Sequence, residues 1–398
     1  MDVSAGRVSS RGLQRVATPG LRGVRALVLV GGRPAAERFG EIPLALLDVL
    51  GRSVLLRTLD RLRAAGVGEI SVLCDTDPLP PTPRAAGCRF LVASPENFWE
   101  EASQQFRWLG RNSESILILR LGAWAELDYA AMVTEHRRSG APVMRAYSPR
   151  AEALDIFVAS SGSQCEAAAL LRGELREPRI AALPYKTSGY VNLLSAPAHL
   201  RILTLDAFAG TCAIRPCARE LRPGVWVGGG ARIHRLARIV APAFIGSCCT
   251  VHSNSVVTRG SSLEHHSEVD CATVIDNSSV MPYTRVGAGL DVEYSVVGFQ
   301  QVHSTQRQVT VEFEDARLIG ATTTRFSART LTAAGWLLGL LPNVLWKFFF
   351  EPTPEAALGS APQALGHSTP AIGEPSLTPV EARTESYGEM AARRYGNE

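Results

Sequence analysis

The chain has 398 residues, enough for two domains and tails, and its 46% hydrophobic and 20% charged composition is that of a globular protein with a sizeable core. A net charge of only +3 excludes an electrostatically driven nucleic-acid binder. Of the 41 basic side chains only Lys186 and Lys347 are lysines, which restricts any chemistry that needs ammonium groups.

In chain order, residues 1–23 are rich in Ser, Gly and Arg without apolar periodicity and read as a flexible arm. Val24 to Val30 is a continuous apolar run that ends in Gly31-Gly32, the pattern of a buried parallel strand followed by a tight turn. Val54 to Ala65 carries Leu55, Leu56, Leu59 and Leu62 at helical spacing, and Gly66 closes it. Strands follow at Ile70 to Leu73, Arg89 to Val92 and Ile116 to Leu119, with helices at Phe98 to Leu109 and Tyr129 to Arg138 and a short strand near Val143. This alternation predicts an α/β domain with a mainly parallel sheet, Rossmann-like, over residues 24–215.

From Val227 the pattern changes. Steps of six land on Val227, Ile233, Ile239, Ile245, Val251, Val257, Leu263, Val269, Ile275 and Met281, all aliphatic. Four residues after each of the first nine stands a small side chain, from Ala231 to Ser279. Two such columns predict a parallel β-helix of hexapeptide repeats over residues 222–320, with one aliphatic residue buried on each flat side and three hexads per coil. After Met281 the phase slips by one, to Val286 and Val292.

Ala333 to Phe350 is an apolar stretch with one charge, Lys347, and Pro342 and Asn343 at its middle. Within residues 330–350 we expect an apolar helical segment that packs on protein, with membrane-surface contact by 333–350 as the alternative. Residues 351–398 read as a disordered tail. Eight cysteines without a C-x-x-C pair or a secretory apolar segment predict reduced thiols in a cytoplasmic protein, most of them buried.

A strand-Gly-Gly opening followed by hexapeptide repeats resembles the sugar-nucleotide pyrophosphorylases, in particular the glucose-1-phosphate and mannose-1-phosphate nucleotidyltransferases. The likeness rests on LVLVGG at Leu27 to Gly32, on VLGRSVLLRTLDRLRAAGVGEISVL at Val49 to Leu73, on Leu117 to Ala141, and on GYVNLLSAPAHL at Gly189 to Leu200. It implies a nucleotide-diphospho-sugar transferase domain joined to a left-handed β-helix. The reaction it implies is in-line attack of a sugar 1-phosphate on a nucleoside triphosphate, with a glycine-rich loop and lysines on the phosphates and two aspartates on Mg²⁺.

Set against that pattern, the devices are eroded. The loop after Gly32 reads Arg33, Pro34, Ala35 and Ala36, and the motif lysine falls on Leu44. The metal aspartates fall on Gly122 and Leu193. Gly31, Gly32, Arg33 and Arg38 remain as candidate nucleotide-binding residues, with no catalytic residue and no metal ligand assigned; Mg²⁺ would be the cofactor only if activity survived. Glu126, Asp128, Asp155 and Asp206 are the carboxylates that could replace the lost pair. The expected function is a catalytically impaired pyrophosphorylase-like protein that binds a nucleotide or nucleotide sugar or serves as a regulatory subunit. It would form a homo-oligomer or a hetero-oligomer with an active pyrophosphorylase. Two alternatives stand beside it: an active nucleotidyltransferase, and a hexapeptide-repeat acyltransferase using His234, His252, His265, His266 or His303 as general base.

Overall fold

The computed structural model describes residues 21, 23–32, 37–75, 87–161 and 182–322. The readings for residues 1–20, for Arg33 and Cys165, and for everything beyond 322, including 333–350 and the tail, lie outside the described residues. Among the described residues no helix is long and apolar enough to cross a membrane.

The first part is built on a seven-stranded sheet. Its strands are β1 (Val24–Val30), β4 (Glu69–Cys74), β5 (Cys88–Val92), β6 (Ser115–Arg120), β8 (Val143–Tyr147), β9 (Ala153–Ser160) and β10 (Leu183–Lys186), in the order β5-β4-β1-β6-β9-β8-β10. β1 is central. Its Ala26, Val28 and Val30 belong to one buried cluster and its Leu27 and Leu29 to another, so both faces of the strand are covered. That two-sided burial is why the run is continuously apolar. Helix α1 (Val54–Ala64) starts where the Ser53 side chain accepts the Leu56 N–H, and it buries Val54, Leu55, Leu59 and Leu62. Helices α2 (Phe98–Gly110) and α3 (Tyr129–Ser139) end within two residues of their predicted limits.

The sheet is less parallel than expected. β9 runs antiparallel to both β6 and β8. Three further elements had no periodic signature: the hairpin β2 (Arg38–Phe39) with β3 (Ile42–Pro43), the ribbon β7 (Ala123–Ala125) with β11 (Val191–Leu193), and helix α4 (Pro197–Ala209). Strands of two or three residues are too short to show a period.

The second part winds over three parallel faces. Val227 pairs with Ile245, Ile233 with Val251 and Ile239 with Val257, each eighteen residues on, so three hexads make one turn of chain. Ile245, Val251, Val257, Leu263, Val269 and Ile275 are fully buried in one cluster. The small column does more than leave room. Ser255, Ser261 and Thr273 donate their hydroxyls to the carbonyls of Asp270, Ile275 and Gly287 in the next coil, at 2.7, 3.1 and 2.6 Å.

The slip in phase falls earlier than the hexad count places it. Leu263 pairs with Val280, Val269 with Val286 and Ile275 with Val292, all seventeen residues on. Asn277, at φ 45°, occupies alone the corner that Arg259-Gly260 fill one coil before. Val280 is therefore the inward residue. Met281 instead joins the α/β core. Shortening Ile275 at this point tests the stack: Ile275→Ala should cost about 3 kcal/mol in urea unfolding, because a fully buried side chain is lost with little room to collapse.

The two parts of this unit share packing. Phe244, Met281 and Val296 extend the α/β cluster, and Phe208 stacks on Trp226 with ring centroids 5.4 Å apart. Arg201, 3% exposed, donates to Asn277 Oδ1 at 2.7 Å and Ser279 Oγ at 3.2 Å. Glu264, also buried, accepts the backbone N–H groups of Leu50 and Gly51 at 2.9 and 2.7 Å. Of the described cysteines, Cys74, Cys212 and Cys249 are buried and Cys88 half-buried, whereas Cys217, Cys248 and Cys271 are exposed; none is in a disulfide. Fewer are buried than expected, because Cys217, Cys248 and Cys271 fall on loop and corner positions that face out.

Candidate functional site

The carboxyl ends of β1, β4 and β6 meet where an open α/β sheet ordinarily takes its ligand. Gly31 and Gly32 follow β1 directly. Gly32 is in the left-handed region at φ 61°, and a Cβ there would lie 2.7 Å from the Trp99 ring. A Cβ on Gly31 would lie 2.3 Å from the Asp75 carboxyl carbon. Both glycines are required by close approach, but what approaches is the protein itself.

Asp75 follows β4 and its side chain is 3% exposed. One of its oxygens accepts the Gly32 N–H at 3.0 Å and pairs with the Arg38 guanidinium at 2.5 Å. A backbone N–H of a glycine turn and an arginine are the groups that hold a phosphate oxygen in a nucleotide loop. Here an internal carboxylate meets them. Three of the four candidate residues, Gly31, Gly32 and Arg38, thus converge on one point, and Arg33 lies outside the described residues. The cavity bordered by Gly31, Arg38, Leu44, Leu121 and Leu194 has about 10 Å³ of free volume, room for about one water molecule.

Beside it lies a larger cavity of about 170 Å³, lined among others by Gly122, Leu193, Tyr129, Arg120 and Asp155. Leu193 pairs with Ala123 in the β7–β11 ribbon, and the Leu194 N–H donates to the Gly122 carbonyl at 3.1 Å. The two positions that the family resemblance marks for metal aspartates are therefore neighbours in space. They carry no side-chain oxygen. A hard cation such as Mg²⁺ needs carboxylate or similar oxygen ligands, so these residues do not fit it.

The replacement carboxylates do not converge either. Asp155 accepts from Arg120 Nε at 2.9 Å and pairs with Arg145 at 3.1 Å, all three side chains being nearly buried. Asp128 caps α3 by accepting the Ala131 N–H at 2.9 Å. Glu126 accepts from Trp124 Nε1 at 3.2 Å and from the Ala213 N–H, and Asp206 accepts the Tyr190 hydroxyl. Among the described residues no three His, Cys, Asp or Glu side chains are placed to hold a metal ion. Lys186 is exposed on the edge strand β10.

The histidines are also engaged. His252 contacts Glu268 at 2.9 Å, His303 contacts the Thr310 hydroxyl at 2.9 Å, and His265 contacts Asp48 at 3.2 Å. Burial, reinforced by neighbouring His266, pushes the His265 imidazole down to about 4. Burial and the adjacent Asp48 push the Glu264 carboxyl up to about 8, and burial raises Asp48 to about 6 against the pull of Arg57 and Arg52. This acid pair sits where the loop after Leu47 meets the coils, away from the strand ends.

Asp75, Arg120 and Arg145 were not among the sequence candidates; Asp155 was one, as a replacement carboxylate, but not as the partner of two arginines. Only the β1–β4 pairing brings Asp75 to Gly31, and nothing in its local sequence announces that. The run Arg33, Pro34, Ala35 and Ala36 after Gly32, unlike the family's loop, was the available signal in the sequence.

Residues 26–100, from β1 to the start of α2, match the family model described as a MobA-like NTP transferase domain. No curated protein matches the chain. The family match supports placing the α/β domain, whose strand ends form this site, in a nucleotidyltransferase family.

Proposed function

We propose that the chain is a sugar-nucleotide pyrophosphorylase-like protein that has lost catalysis and acts as a regulatory or sensing subunit, its coils forming a left-handed β-helix. The observation that carries this reading is the Asp75 carboxylate on Gly32 N–H and Arg38, the groups proposed here to hold a phosphate. The absence of oxygen ligands at Gly122 and Leu193 supports it independently. Ligand pockets usually offer about 300–1,000 Å³. The 170 Å³ beside Arg120 accommodates a fragment the size of a phosphate or a single sugar, not a whole nucleotide sugar.

The coil stack supports a partner. At its first turn Val227 and Ile233 are only half-buried, and Leu221 and Leu236 are 67% and 57% exposed. An end with unpaired strand edges and bare aliphatic residues is suited to another subunit.

The test is a thermal-shift and calorimetry panel of nucleoside triphosphates, sugar 1-phosphates and nucleotide sugars, with and without Mg²⁺, with turnover followed in the same samples. The expected result is no turnover, and any stabilisation independent of Mg²⁺. Mg²⁺-dependent release of pyrophosphate would overturn the reading.

A further inference from the structure

A further cavity, larger than the two at the strand ends, lies away from them. It is a groove of about 510 Å³ between the β2–β3 hairpin and the last coil, with Glu41, Thr284, Phe299, Gln300, Gln301 and Glu312 on its walls. We propose that it is a binding site for an uncharged saccharide.

Its chemistry is unlike that of the cleft. Among the described residues no Lys, Arg or His lines it, while Glu41 and Glu312 place two carboxylates on it, which repels a phosphorylated ligand. Sugars need neighbouring acceptors and donors for their hydroxyls and an apolar ring face for their C–H groups. The Glu41 and Glu312 carboxylates, the Gln300 amide and Phe299 supply this set. The polar wall is held in place: Gln301 accepts the Gly40 N–H at 3.0 Å and donates to Glu312 at 2.6 Å. An organic cation is the less suitable occupant. It would want several ring faces, and Tyr283 already stacks on His266 at 4.9 Å, leaving Phe299.

A tight turn places Phe299 on the groove wall. Gly298 pairs with Gln301, so Phe299 and Gln300 form a two-residue hairpin turn with φ of 53° and 59°. Such a turn favours Asn-Gly, and a bulky residue there is strained. Phe299 packs edge-on against Phe39, 5.9 Å between centroids, yet remains half-buried rather than enclosed. Phe299 thus packs one side of its ring on the α/β core and leaves the rest open to the groove, where the apolar face of a sugar can rest.

Saturation-transfer NMR on the full chain with glucose, mannose and maltose should detect binding of at least one, with a Kd of about 1–10 mM as for small neutral ligands. Phe299→Asn should weaken it at least about tenfold while the turn itself becomes more favourable. Gln300→Gly, an exposed position, should weaken it without loss of folding and so guards against a misfolded first variant. The proposal is overturned if none of the three sugars binds, or if both variants bind like the parent. It is equally overturned if spermidine, or glucose 1-phosphate in a Phe299-dependent manner, binds more tightly than the neutral sugars. Because the groove is separate from the strand-end cleft, these outcomes do not depend on whether the cleft is catalytically silent.

Discussion

Replacing Asp75 with Asn should make the protein less stable alone and more responsive to polyphosphate. The Asp75 side chain is 3% exposed and its carboxylate faces the Arg38 guanidinium and the Gly32 N–H. Removing the charge takes the Asp75 carboxylate away from the arginine, which is 22% exposed. A fully buried pair broken this way loses about 3–5 kcal/mol; partial exposure of Arg38 brings the expected loss to about 2 kcal/mol. Inorganic tripolyphosphate should then restore stability, since ligand at about 100 times its Kd adds about 2.7 kcal/mol. The parent, with its own anion in place, should show little shift at the same concentration. Equal shifts in parent and Asp75→Asn would mean that Asp75 does not compete with phosphate, and the account of the silent cleft would fail.

The second large effect is expected at Glu264. Glu264→Ala removes the acceptor for two backbone N–H groups, Leu50 and Gly51, in a dry contact between the loop and the coils. An unsatisfied buried donor costs about 1–3 kcal/mol, so a loss of about 2–4 kcal/mol in urea unfolding is expected, with less for Glu264→Gln, which retains one acceptor oxygen. The pH dependence has a definite sign. Burial and Asp48 raise the folded Glu264 carboxyl to about 8, above its ordinary value of 4.5. The folded state therefore binds more protons than the unfolded one, and stability falls as pH rises toward 8.

Neighbouring groups act in other windows. Asp48, raised to about 6, contributes its loss below that pH. His265, lowered to about 4, and the lowered His136 and His303 matter only below about 6.5, where they act in the opposite direction. Cys249, raised to about 12, acts only in alkali. Between pH 6.5 and 8 Glu264 remains the main term, with a slope of at most about 1.4 kcal/mol per pH unit. The Tm of the parent should drop by roughly 3–6 °C across that window, and Glu264→Gln should flatten the curve. A slope unchanged by Glu264→Gln would show that the carboxyl is ionised in the folded protein.

Much of the architecture was legible before folding. The alternation from Val24 to Val143 is carried by local burial patterns, a two-sided run for β1 and a one-sided helical stripe for α1, and such patterns appear wherever a segment lies against a core. The hexad columns were legible for the same reason: each inward position must be aliphatic and each corner small, at a constant spacing. The glycines after β1 were legible as a tight turn, although the approach of Asp75 and Trp99 to them was not. That Leu44, Gly122 and Leu193 carry no charge and no side-chain oxygen could also be read directly, because it is a statement about residue type.

What tertiary structure decided is contact between segments distant in sequence. Asp75 lies 43 residues from Gly32, and only the β1–β4 register brings the two together. Glu264 is 214 residues from Leu50, and its surroundings turn an ordinary surface-type residue into a buried acceptor whose carboxyl is raised by burial and by Asp48. The missing residue at Asn277 could not be placed by counting, since Met281 is apolar enough to continue the column; its partner across the coil is what assigns the inward position to Val280. Periodicity reports the average environment of a segment, whereas an individual hydrogen bond or ion pair depends on which distant atom comes within about 3 Å, and that is set only when the chain has folded.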